Sequence, residues 1–427
     1  MELPTLKITF PFEPGEPYDN EERFAFWDSP DTIQWFKLKG YHLYRRIYLG
    51  WDPEGLELEP TETMGPTLPP DSNEEFIEAE YPYAYHDMTT TDAPDEKYNV
   101  PLRVIESTGK VVFAQDSCKR HVAIKLVRDD TDEYRILRFL SQQDQKALRD
   151  NCILPVLDLL PIEGFWFAIM PRWGTDIYEP APGVLREVVD IMHSWLKDIN
   201  RSNILLNHFS DAYLSCKRRE GLRHGGKILY GLYDYDFSVM LPAGVDRRDF
   251  RLPYDRSWGT FNIVYDTAGG ECDYDPFAFD VGILGATLCK YHQHLAPVLP
   301  LLAPLLDKMT TWDIINRFTA SEALQFFEER LAEFPEQLLE VGIPEEMITG
   351  KYTTCNRWEN IPCKVVEKWK CYKTPPVSWR LRILRALYRL TASRFPHLMP
   401  KTCLFFIRTK SLISHAYRSI FPSKIAI

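Results

Sequence analysis

The sequence predicts an α+β chain with a small β-rich lobe followed by a larger helical lobe. Short β-rich runs crowd residues 110 to 170, helical patterns dominate after Met170, and no internal repeat intervenes. With 427 residues, 45% of them hydrophobic and 13% aromatic, the chain holds enough apolar material for two such lobes. A cleft is expected between them.

Residues 1–51 form an N-terminal extension with a helix to dock on the main domain. Ser29 and Pro30 make an N-cap and first-turn pair, Trp35, Phe36 and Leu38 supply an apolar face, and Gly40 can stop the helix. Residues 52–99 read as an acidic, Pro-rich linker without a fold of its own. The stretch from 52 to 97 carries 14 acidic residues, one basic residue and 7 prolines.

From Val100 to residue 335 the chain reads as the main domain, its first lobe running to about residue 172. Strands are expected at Lys110–Ala114, His121–Val127, Ile153–Leu157 and Phe165–Met170, with Pro161 to Gly164 as the turn between the last two. A helix over Thr131–Leu140, capped by Asp130 or Thr131, separates the two strand pairs. The second lobe is expected to hold helices at Val184–Trp195, Phe279–Tyr291, Pro300–Met309 and Ala320–Phe334.

Residues 336–427 form a basic tail. From 351 onward there are 16 Lys/Arg against 2 Glu, whereas residues 1–350 hold 34 against 59, so the net charge of -11 conceals two opposed blocks. Ser378 can cap a helix with Trp379, Ile383, Leu387 and Leu390 on one face and Arg382, Arg385 and Arg389 opposite. Docking on the acidic body or in a partner's groove is expected ahead of an anionic membrane surface. The acidic body argues against specific nucleic acid binding.

No apolar run approaches the roughly 18 to 20 residues that a bilayer span needs. The opening Met1-Glu2-Leu3-Pro4 lacks a basic or apolar leader. The nine cysteines are scattered, odd in number and free of any CxxC pair, so neither a disulfide framework nor a zinc site is signalled. An intracellular protein, cytoplasmic or nuclear, is expected.

Several motifs carry chemistry. His121-Val122-Ala123-Ile124-Lys125 lies on an expected strand, and Glu133 follows on the expected helix. Asp198-Ile199-Asn200-Arg201-Ser202-Asn203 precedes the apolar Ile204-Leu205-Leu206. Leu232-Tyr233-Asp234-Tyr235-Asp236-Phe237 is an apolar run broken by acids. Asp280-Val281-Gly282-Ile283-Leu284-Gly285 and Arg317-Phe318-Thr319-Ala320-Ser321-Glu322-Ala323-Leu324 follow. In this order they resemble the motifs of the eukaryotic-type protein kinase superfamily: the VAIK lysine and its helix glutamate, the DxxxxN catalytic loop, the Asp-Phe-Gly segment, DxWSLG and the closing RxTAxEAL.

The resemblance implies a bilobal protein-kinase-like fold and ATP-dependent phosphoryl transfer to protein Ser/Thr, with ATP and Mg (or Mn). In the roles it implies, Lys125, oriented by Glu133, pairs the ATP phosphates, and Met170 joins them in binding ATP. Asp198 is the catalytic aspartate at the substrate hydroxyl, and Asn203 and Asp234 are the metal ligands. Asp280 and Arg317 give structural support.

The chain departs from the pattern in places. Ile105 to Val111 contains one glycine in place of a GxGxxG loop, Leu196-Lys197 stands where the family has His-Arg, Asn200 replaces a lysine, and Asp236 replaces the glycine of Asp-Phe-Gly. No Ala-Pro-Glu is evident, so Arg317 lacks its family partner; Glu271 and Asp273 are the candidates. These losses imply weakened transfer, or alternatively a pseudokinase acting as a binding or scaffold module. A small-molecule kinase stands third, disfavoured by the Arg317–Leu324 match.

Overall fold

Two short helices precede the longer strands: α1 (Asn20–Asp28) and α2 (Pro30–Leu38). Ser29 caps α2 by accepting a hydrogen bond from the Thr32 amide, Pro30 fills the first turn, and Gly40 at φ +89° takes the chain away. The computed structural model describes residues 4–10, 12, 20–49, 52–61, 81–87, 102–175, 177–197, 203–210, 217–257, 266, 273–344, 347, 356–377, 379, 382 and 383. Contacts divide the chain into two units, Met1–Glu187 with Ser202–Met240, and Val188–Arg201 with Leu241–Ile427.

In the first unit, strands β1 (His42–Leu43), β2 (Arg45–Leu49), β3 (Asp52–Glu59), β4 (Tyr85–Asp87), β5 (Val104–Ile105), β6 (Val111–Gln115) and β7 (His121–Arg128) lead to helices α3 (Asp132–Leu140) and α4 (Gln145–Asp150). Strands β8 (Asp158–Ile162) and β9 (Phe165–Pro171) follow. The main sheet is antiparallel throughout, in the order β1-β6-β7-β9-β8.

Alternation along β7 decides what each face meets. Val122, Ile124 and Leu126, with Phe167 and Ile169 of β9, pack against Trp27, Trp35 and Phe36, so α1 and α2 cover that face. Val127, Ala168 and Met170 face the opposite way and share a core with Tyr134, Leu137 and Leu140 of α3. Lys125 lies on this second face by strand parity.

Two sequence expectations fail here. Ile153–Leu157 is not a strand; the pairing begins at Asp158 and includes Pro161, which is tolerated because β8 is the sheet edge. The stretch 52–99 is not structureless at both ends, since β3 and β4 fall inside it. Leu56-Glu57-Leu58-Glu59 alternates apolar and acidic residues, Leu58 is fully buried, and Arg45 and Arg103 meet the carboxylates of Glu57 and Glu59. Strand β3 joins β2 and β5 in a second sheet. The rest of that stretch, 62–80 and 88–99, lies outside the described residues.

Helix α5 (Leu185–Lys197) carries the chain into the second unit, and β10 (Ile204–Leu206), β11 (His208–Ser210), α6 (Lys217–His224) and β12 (Tyr230–Leu232) belong to the first. Buried Arg172, just past β9, donates to the Tyr44 hydroxyl at 2.8 Å and the Leu102 carbonyl at 2.9 Å, and its guanidinium sits 4.1 Å from the Phe209 ring centroid. It thereby ties four separate chain segments together.

The second unit contains β13 (Leu252–Pro253), β14 (Asp273–Tyr274), α7 (Pro276–His292), α8 (Leu302–Thr310), α9 (Ala320–Ala332), α10 (Glu336–Leu339) and α11 (Cys363–Lys368). A Cβ on Gly285 would lie 2.6 Å from that of Met309, so glycine permits the close approach of α7 and α8. Thr319 and Glu322 form a reciprocal capping box at the start of α9. Among the described residues no helix is long and apolar enough to cross a membrane.

Candidate functional site

Three chain segments converge on Lys125 in the first unit. Strand β7 is central in its sheet, paired to β6 through Val111 and to β9 through Ala168, which fixes the lysine stem. Thr131 caps α3 by accepting from the Tyr134 amide, and this sets Glu133 in the first turn, where an acid also suits the helix dipole. Strands β10 and β12 pair through Ile204 and Leu232, which brings Asn203 beside the chain that leaves β12. The Tyr233 amide donates to the Asn203 carbonyl at 2.9 Å, and Asn203 Nδ2 donates to the Asp234 carbonyl at 2.8 Å.

The Lys125 ammonium lies 2.5 Å from Glu133, 2.6 Å from Asp234 and 2.7 Å from Asp236. Its side chain is 7% exposed, against 30% for Asp234 and 26% for Asp236. Lys110 reaches the other oxygen of Asp236 at 3.4 Å. Three carboxylates therefore share two cations.

That imbalance governs protonation. Burial works against the charged form of Lys125, but Glu133, Asp236 and Asp234 outweigh it and hold the ammonium well above its usual range. Burial pushes Glu133 up to about 7, against the pull of Lys125 and with help from its hydrogen bond to Asp236. Asp236 moves the opposite way. Burial alone would raise it, but Lys125 and the hydrogen bond from Glu133 hold it well below the usual carboxylate range. One proton is thus retained between two neighbouring acids into the neutral range.

Oxygen atoms of Glu133, Asp234 and Asp236 all lie within 4.8 Å of one another. Such hard donors are the kind that magnesium or manganese takes. The sequence marks Asp236 as a departure from the family glycine and as a second carboxylate near the metal position; its direct bond to Lys125 carries no further sequence signal.

The loop between β5 and β6 has its own acid. Buried Glu106 accepts from the Gly109 amide at 2.8 Å, from the Thr108 amide at 3.0 Å and from the Thr108 hydroxyl. From outside, Arg23 Nη1 donates to the Thr108 carbonyl and Trp27 Nε1 to the Gly109 carbonyl, both at 2.9 Å. A Cβ on Gly109 would lie 2.5 Å from that of Arg23, and φ is +64°. The two amides that such a loop could present to a phosphate are already used by a carboxylate.

The other expected site residues are distributed as follows. Met170 is buried in the apolar core with Tyr235. Asp198 lies outside the described residues, as does Asn200. Asp280 is exposed on α7 without a side-chain partner among the described residues.

Arg317 has a partner that the sequence did not reveal. Its two terminal nitrogens meet both oxygens of Asp266 at 2.6 and 2.7 Å, and both residues are buried. Of the two candidates named from the sequence, Asp273 pairs with Arg251, and Glu271 lies outside the described residues. Tyr265-Asp266-Thr267 carries no pattern that would have singled it out.

A surface hollow of about 380 Å³, lined by Asp130, Tyr134, Arg135, Arg138, Phe139 and Gln142, shares none of these residues. No family model matches the chain, and no curated protein does. Among solved structures the chain is similar to the autoinhibited serine kinase domain of the giant muscle protein titin, at 16% identity and a TM-score of 0.37, over 63% of this chain and 90% of that one.

Proposed function

We propose that this chain is a protein-kinase-like phosphotransferase that moves the γ-phosphoryl group of ATP to a protein Ser or Thr hydroxyl at a reduced rate. The observation that carries this reading is the meeting of Lys125, Glu133 and Asp234 at one point, with Asn203 bonded to the Asp234 backbone. These residues come from a strand, a helix and two strand ends, the kind of rigid support that phosphoryl transfer by positioning and charge requires.

In this reading Lys125 neutralises phosphate oxygens and Glu133 orients it. Asp198 receives the proton of the substrate hydroxyl as ADP leaves. Met170 borders the nucleotide from the core side. Asp234 and Asn203 would hold magnesium or manganese, and a bound ion would supply positive charge at the phosphates. The surplus of carboxylates over ammonium groups around Lys125 suits a divalent cation.

A second reading is favoured by Glu106, whose carboxylate takes up the Thr108 and Gly109 amides. In that reading the chain is a pseudokinase that serves as a binding or scaffold module. Incubation with labelled ATP and magnesium or manganese separates the two. Autophosphorylation, or transfer to a generic Ser/Thr protein, that is lost in Asp234→Asn supports the enzyme; no transfer with either metal supports the scaffold.

A further inference from the structure

Glu106 holds the amides of Thr108 and Gly109, so recognition of phosphate oxygens on this side of Lys125 falls to a side chain. Lys110 is so placed. Its amide donates to the Thr108 hydroxyl at 3.1 Å, and its carbonyl accepts from the Leu126 amide at 2.9 Å. The turn before it is gripped from outside: Asn20 Nδ2 donates to the Ser107 carbonyl at 2.5 Å, and Arg23 and Trp27 donate to the next two carbonyls. The Lys110 stem therefore leaves a fixed backbone, one residue before the Val111 that pairs with Lys125.

Asp236 joins the two ammonium groups. One of its oxygens lies 2.7 Å from Lys125 and the other 3.4 Å from Lys110, so a single anion spans both cations. Carboxylate and phosphate oxygens are bound by cations through the same charge-assisted hydrogen bonds. The carboxylate is also placed to leave. Tyr235 before it is buried in the core with Tyr134 and Met170, whereas Phe237 after it is 77% exposed, and the Ser238 amide closes the turn on the Tyr235 carbonyl at 3.0 Å. Asp236 thus lies on a turn at the edge of the core, and its withdrawal breaks no apolar packing.

We infer that Lys110 and Lys125 together form the phosphate-binding pair of the site, and that Asp236 bridges them as an internal competitor which the phosphates of a nucleotide must displace. The nucleotide rests on the phosphotransferase reading, while the lysine pair can be tested with phosphate alone. A competitor lowers affinity by the fraction of chains in which it occupies the pair. A further metal ligand, the other role open to Asp236 beside Glu133 and Asp234, would raise it. The sign of one substitution separates the two.

Titration of the full chain with sodium tripolyphosphate, without divalent metal, tests the pair apart from transfer. Asp236→Asn should bind it at least about ten-fold more tightly than the parent chain, the size of one charge-assisted hydrogen bond. Asp236→Gly should show the same gain. Adding Lys110→Met to Asp236→Asn should remove the gain, whereas Lys110→Arg should keep it, because a guanidinium retains the charge and the donors. Unchanged or weaker tripolyphosphate binding in both Asp236 variants, or a gain that survives Lys110→Met, would overturn the inference. The gain in both variants together with no transfer from ATP would support the lysine pair and count against the phosphotransferase reading alone.

Discussion

The ammonium of Lys125 on β7 lies 2.5 Å from the carboxylate of Glu133 on α3, and the same nitrogen meets Asp234 and Asp236. Replacing Lys125 by Met therefore leaves three neighbouring carboxylates without their main cation. Removal of one partner from a buried ionic cluster costs about 3–5 kcal/mol. Urea unfolding of Lys125→Met should show a loss of that order. Adding Asp236→Asn should recover part of it, because the two sites are in contact and their effects will not add.

Glu133 gives the site a pH signature. Its carboxyl is pushed up to about 7 in the folded chain, above the ordinary carboxylate value near 4.5 that it has when unfolded. Between these values the folded state holds more protons than the unfolded state, so this group's contribution to stability falls as pH rises through that window. The slope of stability against pH from about 4.5 to 7 should become less negative in Glu133→Gln, read from urea midpoints at successive pH values. An unchanged slope would mean that Glu133 titrates normally.

Arg317 and Asp266 form a fork-to-fork pair in the interior of the second unit, whereas Arg251 and Asp273 form a half-exposed pair nearby in sequence. Asp266→Ala should cost about 3–5 kcal/mol, since it leaves a buried guanidinium uncompensated. Asp273→Ala should change stability by less than about 1 kcal/mol. Arg317→Lys should not restore the pair, because an ammonium cannot span both oxygens of Asp266. Thermal and urea unfolding of the three variants measures the difference.

Glu106 holds the Thr108 and Gly109 amides with a charged acceptor. Glu106→Ala should destabilise the first unit by about 1–3 kcal/mol through the loss of these bonds. On the phosphotransferase reading, the same change should tighten ATP binding, because the freed amides become available to phosphate oxygens. Isothermal titration of parent and variant with ATP and magnesium checks the sign.

Local chemistry explains what was legible from sequence. The run from His121 to Lys125 alternates as a strand must, Thr131 is a cap at the start of the helix expected after it, and Ser29-Pro30 marks a helix start; all three lie where the sequence puts them. Strand β3 was hidden because its alternation uses Glu in place of neutral polar residues, and an acidic excess reads as linker until Arg45 and Arg103 are seen opposite. Asp266 and Glu106 were illegible for another reason. Each matters through a partner distant in sequence or through backbone amides, and neither kind of contact leaves a residue pattern.

The thermal stability of purified protein with ATP and magnesium or manganese tests the phosphotransferase reading most directly. The melting temperature should rise with ATP only when the metal is present, as any ligand of the folded state gives, with a smaller rise in Lys125→Met and none in Asp234→Asn. No rise with either metal, or the same rise in Asp234→Asn, would contradict it.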